Sequence, residues 1–450
     1  FSGLINLTHT TAATVVLSMA DLTNFSYTGS GGFTVAAMNN TRTFTYGTSA
    51  NGSSTTAVNL AFTTGASAIA ITNGSWFKTL DFGTTTSTAT GTGLNVFENL
   101  YLNGTYTAVT LSMLGTGYIS GGVSTSLLGL TINTTGTITM AGNMTLLSTG
   151  TTTLTQGSFV LSGYTLTTGI FSSSGTGFSR SVNFGTTKII LNHTTAATTA
   201  LSMADVTGFT WTGTTGGFSS SMSATRTFNY GTAANGSLST AVNLAITGGI
   251  SIPTISSGGW FKNLDFTGSA CIPAATTLNI AGDVTLASGG TFTAMALTML
   301  STSTITPAGK TVGAFVVNTP TTITLVAAFG STTYTQTTGT MDFAGFNMTC
   351  SSTATYNGGT LSNIGTLTCT TFTKNTAFNK NFGTTADTVT QGNDARLSDA
   401  RTPTAHTHPI SDITGLQTAL DGKAASVHTH IIANITGLQT ALDGKEPTIV

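Results

Sequence analysis

The chain has 450 residues, of which 6% are charged and 39% hydrophobic, with a formal net charge of −1. No apolar run approaches the roughly 18 residues of a membrane-spanning helix, and no cluster of Lys and Arg offers the phosphate contacts that nucleic acid demands. Membrane insertion and nucleic-acid binding are therefore not expected, and a Thr-, Ser- and Gly-rich extracellular type of β structure is.

In chain order, the first feature is a long internal duplication. HTTAATVVLSMAD (His9 to Asp21) recurs as HTTAATTALSMAD (His193 to Asp205), TRTFTYGTSANGS (Thr41 to Ser53) as TRTFNYGTAANGS (Thr225 to Ser237), and WFKTLDF (Trp76 to Phe82) as WFKNLDF (Trp260 to Phe266), all at one constant offset without a gap. The offset later drifts, so the second copy gains about 16 residues between Met348 and Asn381, which one extra coil of a solenoid would absorb, because each coil touches only its neighbours. Phe1 aligns with Gly185, so the first copy starts inside the repeat and further repeats are expected upstream. The divisions follow as residues 1–184, 185–380 and 381–450.

Within each copy the pattern is strand, turn, strand. Between Leu130 and Thr168, apolar residues alternate with Thr: Ile138 and Met140, Met144 and Leu146, Phe159 and Leu161, Tyr164 and Leu166. Period-two alternation marks half-buried strands, and Thr suits an exposed strand face. The expected fold class is all-β: a right-handed parallel β-helix, or solenoid, as a shaft, with a short trimeric C-terminal stalk containing short helices. A row of β-sandwich modules and an intertwined trimeric prism are the competing architectures. At roughly 20 to 25 residues per coil, the shaft would be on the order of 80 Å long.

Few side chains before Asn381 suggest chemistry. The acidic residues there are Asp21, Asp81, Glu98, Asp205, Asp265, Asp283 and Asp342. Polysaccharide cleavage needs two carboxylates at roughly 5 to 9.5 Å. Four of the seven are duplicated positions that read as turn residues, so no catalytic residue is assigned and an enzyme is not expected. Trp76 and Trp260 are the candidate glycan contacts, through stacking on sugar rings; the alternative is core packing at a coil corner, with Lys78 and Asp81 as a surface pair. Arg42 with Tyr46, and Arg226 with Tyr230, allow the same two readings. His9 and His193 read as strand-edge residues. The spacing of Cys350 and Cys369 is close to one coil, and they are expected to stack as buried thiols in neighbouring coils; with Cys271 they form no disulfide framework.

Charge rises at the C-terminal end. Positions 1–380 carry 16 charged side chains and positions 381–450 carry 11. There AHTHPISDITGLQTALDGK (Ala405 to Lys423) is followed by VHTHIIANITGLQTALDGK (Val427 to Lys445), with His428 in the place of His406. Thr414 to Gln417 and Thr436 to Gln439 have a capping-box spacing, and Gly422 and Gly444 sit where a helix would stop. About two turns lie between, below the roughly 12 to 15 residues at which an isolated helix becomes marginal. Such helices need partners, and Ile413, Leu416, Leu420, Ile435, Leu438 and Leu442 are the candidate trimer contacts. In extended backbone His406 and His408 share a face, as do His428 and His430. Two imidazoles per chain are too few for a closed transition-metal site, whereas three parallel chains would supply six. Metal binding, uncoordinated stacking and simple solvation all remain open for these histidines.

GNDARLSDARTPTAHTHPISDITGLQTALDGK (Gly392 to Lys423) resembles a segment common in tail-fibre and other tail-associated proteins of tailed bacteriophages. The resemblance covers about the last sixty residues. It implies a structural and adhesive fibre protein of the virion, a parallel homotrimer that meets other tail or baseplate proteins and a host surface glycan or protein receptor. In long-fibre needles of this kind, H-x-H triplets from three chains enclose a metal ion. The resemblance thus implies iron or another transition metal at His406, His408, His428 and His430. This chain departs from such needles in having two triplets, each followed by a short helix. A bacterial cell-surface adhesin or extracellular filament subunit is the alternative, and a polysaccharide depolymerase tailspike comes third.

Overall fold

Alternation of apolar and hydroxyl side chains becomes burial on one face only. Along Arg42–Tyr46, residues 42, 44 and 46 are buried while Thr43 and Thr45 are half-exposed. The computed structural model describes residues 3–8, 14–35, 42–63, 69–83, 89–103, 106–121, 127–175, 177–196, 198–221, 225–248, 253–267, 273, 276–374, 409–423 and 431–445. The chain divides into two compact units, Phe1–Asn379 and Lys380–Val450.

The first unit is a parallel β-solenoid of about 14 turns. Among the described residues it contains 33 strands. Successive coils stack side chain over side chain. One column runs Ile5, Phe33, Leu60, Leu80, Leu100, Ile119, Met140, each residue in parallel register with the next. A second runs Leu166, Ile189, Phe218, Leu244, Leu264, Val284, Ile305, Leu325. Leu80, Leu100, Ile189 and Phe218 are fully buried, and each such side chain contributes roughly 1.5 to 3 kcal/mol of transfer free energy. Parallel pairing throughout rules out the row of antiparallel sandwiches, and pairing within one chain rules out a prism of intertwined strands for this unit.

Coil length varies more than the sequence suggests. The steps from Leu60 to Leu80 and from Leu80 to Leu100 are short and equal, but those from Ile5 to Phe33 and from Ile189 to Phe218 are much longer. Wide coils use up chain without adding rise. About 14 turns at the ~4.8 Å strand spacing give roughly 65 to 70 Å, short of the expected length of about 80 Å.

The two copies share their irregularities. The register shift between Val15 and Leu17 recurs between Thr199 and Leu201, and that between Val58 and Leu60 recurs between Val242 and Leu244. Near the end, Leu367–Lys374 forms one more strand in register with Met348–Tyr356. That pairing puts Cys369 directly over Cys350. Both are free thiols, but only Cys350 is buried as expected; Cys369, on the last described strand of the solenoid, is partly exposed, and Cys350 donates to the Thr332 carbonyl at 3.3 Å. Cys271 lies outside the described residues.

The second unit repeats one small motif. A 3-10 turn at Ile410–Asp412 precedes a helix at Leu416–Asp421, and a second turn at Ile432–Asn434 precedes a second helix at Leu438–Asp443. The glycine stops are where the sequence puts them, since Gly422 and Gly444 cap the C-termini. The capping boxes are not formed. Gly415 and Gly437, with φ of 82° and 83°, are the N-caps, and no side chain caps either helix. The left-handed glycine turns the chain directly into the helix, so Thr414 and Thr436 fall one position too early. Gln417 and Gln439 reach forward instead, donating to Asp421 and Asp443 at 2.6 Å. No described helix is long and apolar enough to cross a membrane.

Candidate functional site

The duplicated tryptophans stand half-exposed on the solenoid surface, each tied to the coil before it. The Trp76 indole N–H donates to the Thr48 carbonyl at 2.8 Å, and that of Trp260 to Thr232 at 3.1 Å. Each ring lies over a glycine, Gly52 or Gly236, where an added Cβ would meet indole carbon at 1.9 Å. The surroundings then diverge. Phe97 stacks on Trp76 with centroids 5.4 Å apart and an interplanar angle of 23°. The expected Lys78–Asp81 pair is not made: Lys78 meets Glu98 at 3.3 Å. Asp81 instead accepts the Gly83 backbone N–H at 2.7 Å, closing its own turn. In the second copy the Lys262 ammonium lies 5.3 Å from the centre of the Trp211 ring.

The arginine–tyrosine pairs are interior. Arg42, Tyr46, Arg226 and Tyr230 are all buried. The Tyr46 hydroxyl donates to the Thr56 carbonyl at 2.7 Å and that of Tyr230 to Thr240 at 2.6 Å. Arg226 donates to the carbonyls of His193 and Thr225, at 2.7 and 2.6 Å. Tyr46, Tyr230 and Arg226 thereby satisfy carbonyls that lie outside the strand ladders. Burial pushes the Tyr230 hydroxyl well above its ordinary value of 10.0, so it stays a donor. Arg180 does similar work unforeseen by any sequence signal, donating to the carbonyls of Thr207 at 2.6 Å and Asp205 at 3.2 Å. His193 is buried, two residues past the end of the strand Lys188–Leu191. Its Nδ1 accepts the Thr195 N–H at 3.1 Å, and burial followed by the Arg226 charge holds its imidazole below the ordinary 6.5. His9 lies outside the described residues.

Every acidic side chain of the solenoid has a structural partner. Asp21 and Asp205 accept the N–H two residues on, from Thr23 at 2.9 Å and Thr207 at 2.8 Å. Asp265 does the same with Thr267 at 2.8 Å. Asp283 receives both the N–H and the hydroxyl of Thr304, and Asp342 receives Ala344 and Asn363. The Thr23 side-chain and backbone hydrogen bonds hold Asp21 below the usual carboxylate value, as the Thr207 backbone and side chain do Asp205.

Two concavities open on the solenoid surface. One, about 650 Å3, spans four stacked strands and is walled by Thr137, Gln156, Ser158, Ser181 and Thr210 with the half-exposed ring of Phe178. The other, about 350 Å3, is walled by Trp211, Leu238, Ser239, Lys262, Ala281 and Ser301. Apart from Lys262, which belongs to the duplicated WFK cluster, sequence reasoning misses the residues of both. The signal for the second was present: comparing the copies position by position shows Tyr27 becoming Trp211 and Phe97 becoming Ala281.

In the second unit the apolar side chains proposed as trimer contacts face solvent. Ile413, Leu420, Ile435 and Leu442 are 50, 48, 48 and 46% exposed, Leu416 and Leu438 are half-buried, and neither helix buries any residue. His406, His408, His428 and His430 lie outside the described residues. Among the described residues no group of three or more His, Cys, Asp or Glu is arranged to hold a metal ion.

Residues 401–448 match a family model described as "Phage tail repeat like". The match contains both helical motifs and supports a tail-associated protein at a coarse level. No curated protein and no solved structure matches the chain.

Proposed function

We propose that this chain is a structural and adhesive fibre protein of a tailed phage, located in the virion. Its right-handed solenoid forms a shaft displaying receptor-contacting surfaces, and its C-terminal repeats assemble three chains. The observation that carries the reading is the coincidence, within residues 401–448, of the tail-repeat match with helices of six residues in which Leu420 and Leu442 face solvent, as do Ile413 and Ile435 just ahead of them. Helices that short do not persist alone in water. Covering the half of Leu420 or Leu442 that is exposed would gain roughly 1 kcal/mol each, and a parallel trimer covers the same stripe on all three. The right-handed winding follows from the strong handedness of parallel β crossovers. A shaft of stacked coils carries its own core, which leaves the terminal repeats free to specify assembly and attachment to other tail or baseplate proteins. The outer surface then meets a glycan or protein on the host. No residue is assigned a catalytic role in this reading.

Light scattering tests the assembly directly. The full chain, at 45.5 kDa, is expected to scatter as a species of three times that mass, and a chain ending at Asn379 is expected to be monomeric with its β-sheet circular dichroism intact. A full chain that stays monomeric at micromolar concentration overturns the trimer. Gold-labelled antibody against residues 42–374 that fails to decorate the tails of intact phage particles overturns the location.

A further inference from the structure

The duplication makes each copy a control for the other. Tyr27, Ser54, Phe97 and Glu98 of the first copy occupy the positions that match Trp211, Leu238, Ala281 and Gly282 of the second, while Lys78 and Lys262 are the same residue type. In the first copy this patch is closed, with Phe97 laid on Trp76 and the Glu98 carboxylate 3.3 Å from the Lys78 ammonium. In the second copy neither closing side chain exists. Ala281 leaves the position from which a phenyl ring would cover Trp260, and Gly282 offers no carboxylate. The result is the open pocket of about 350 Å3 walled by Trp211, Leu238, Ser239, Lys262, Ala281 and Ser301.

The chemistry of the wall is specific. Among the described residues, no carboxylate lies within 4.0 Å of the Lys262 ammonium, the one ion pair being Lys78 with Glu98. Asp265 and Asp283, which belong to the flanking turns, are committed to Thr267 and Thr304. Lys262 instead stands over the Trp211 ring, whose indole N–H is fixed on the Ala241 carbonyl at 2.8 Å. Leu238, a serine in the first copy, is 54% exposed at the rim. A held cation, an immobilised aromatic ring, an apolar rim and two hydroxyls converge on a space at the small end of the ligand-pocket range of about 300 to 1,000 Å3.

We propose that this pocket binds a pyranose bearing a carboxylate, as one residue of a host surface glycan, an inference that rests on the adhesive reading above. The carboxylate pairs with Lys262 in a charge-assisted hydrogen bond. The apolar C–H face of the sugar lies against Leu238 and the exposed part of Trp211, and Ser239 and Ser301 meet ring hydroxyls. A neutral sugar leaves the ammonium unmatched, and inorganic phosphate gains nothing from the apolar wall. Trp260, rather than Trp76, is the tryptophan free to extend the site, because Ala281 does not cover it.

The full-length chain is titrated with methyl α-D-glucuronide, N-acetylneuraminic acid, methyl α-D-glucoside and inorganic phosphate, followed by tryptophan fluorescence and by ligand-observed NMR. At least one of the two acids is expected to bind about tenfold more tightly than the glucoside or phosphate. Ala281→Phe, which restores the first copy's ring, and Lys262→Gln should each weaken that acid about tenfold or more with the melting temperature unchanged. If Ala281→Phe fails to fold, the solvent-facing Lys262→Gln still decides. Neither acid binding, equal binding of the glucoside or phosphate, or indifference to both substitutions overturns the proposal. A chain that trimerises and adheres to host cells while ignoring both acids sinks the pocket alone. Acid binding by a chain that adheres to no host cell sinks the adhesive reading and leaves the pocket standing.

Discussion

The solenoid and the terminal repeats treat apolar side chains in opposite ways. Leu80 is sandwiched between Leu60 and Leu100 of adjacent coils and is fully buried, whereas Leu442, in a helix of six residues, is nearly half-exposed. In the solenoid the next coil supplies the cover, so strands as short as Ile69–Ile71 or Leu100–Leu102 are held without any partner chain. In the terminal unit each six-residue helix follows its own 3-10 turn, neither helix buries a residue, and Ile413, Leu420, Ile435 and Leu442 stay about half-exposed. Stability that propagates from repeat to repeat needs no second molecule; a stripe with no next repeat does.

The sharpest way to break that contrast is to remove the same atoms from each region. Leu80→Ala deletes buried methyl groups in the middle of a packed column, and a loss of about 2 to 5 kcal/mol in urea unfolding is expected. Leu442→Ala should leave the solenoid transition where it is and lower the concentration-dependent stability of the assembled species instead. Equal losses from the two substitutions would mean that the terminal leucine is part of a self-contained core after all.

Glycines divide along the same line. At Gly52 the backbone is ordinary, but a Cβ would strike the Trp76 ring at 1.9 Å. At Gly415 the space is open, but φ is +82°. Gly52→Ala should therefore cost about 1 to 3 kcal/mol by displacing a packed ring, visible as a shift in tryptophan emission during denaturation. Gly415→Ala should cost about 1 to 2 kcal/mol through backbone conformation alone, visible as lost helical signal with tryptophan emission unchanged. An emission shift from the second variant would show that the two units are coupled.

How much of this was legible depended on whether the signal was local. Alternation identifies the strands because the barrel wall reads side chains two apart: Ile138, Met140, Phe159 and Leu161 are all buried as their spacing indicates. Tyr164 breaks the rule. It follows the left-handed Gly163 at a corner and is 37% exposed, while Leu166 is buried. Coil width was not legible, since it depends on how far a loop swings out before the next strand. Core packing, the favoured reading of Arg42 and Arg226, holds, although a surface role was also open to them. Arg226 is held inside by the His193 and Thr225 carbonyls, which no local pattern announces. The capping boxes failed because Gly415 and Gly437, adopting positive φ, shift the helix start past Thr414 and Thr436. The Trp211 pocket arises from what the second copy lacks at Ala281 and Gly282, so it is visible only when the two copies are compared.

The smallest effect concerns acid, and it belongs to the solenoid's turns. Asp205 accepts the Thr207 backbone N–H and lies below its ordinary value of 3.8, chiefly for that reason; Asp21 is lowered likewise by Thr23. A carboxyl whose folded pKa is depressed stabilises the fold fully above its unfolded value and loses that contribution as pH falls through the folded one. The loss should therefore begin below about pH 3.8 and leave the range above about pH 5 flat. Asp21 is exposed and Asp205 partly so, and solvent screens the effect. Asp205→Asn keeps an oxygen to accept the Thr207 N–H but removes the titration, and should flatten the acid limb of a melting-temperature profile slightly. Asp205→Ala removes the acceptor and should lower the melting temperature at neutral pH as well. If Asn behaved like Ala at neutral pH, the charge rather than the turn's hydrogen bond would be holding that corner.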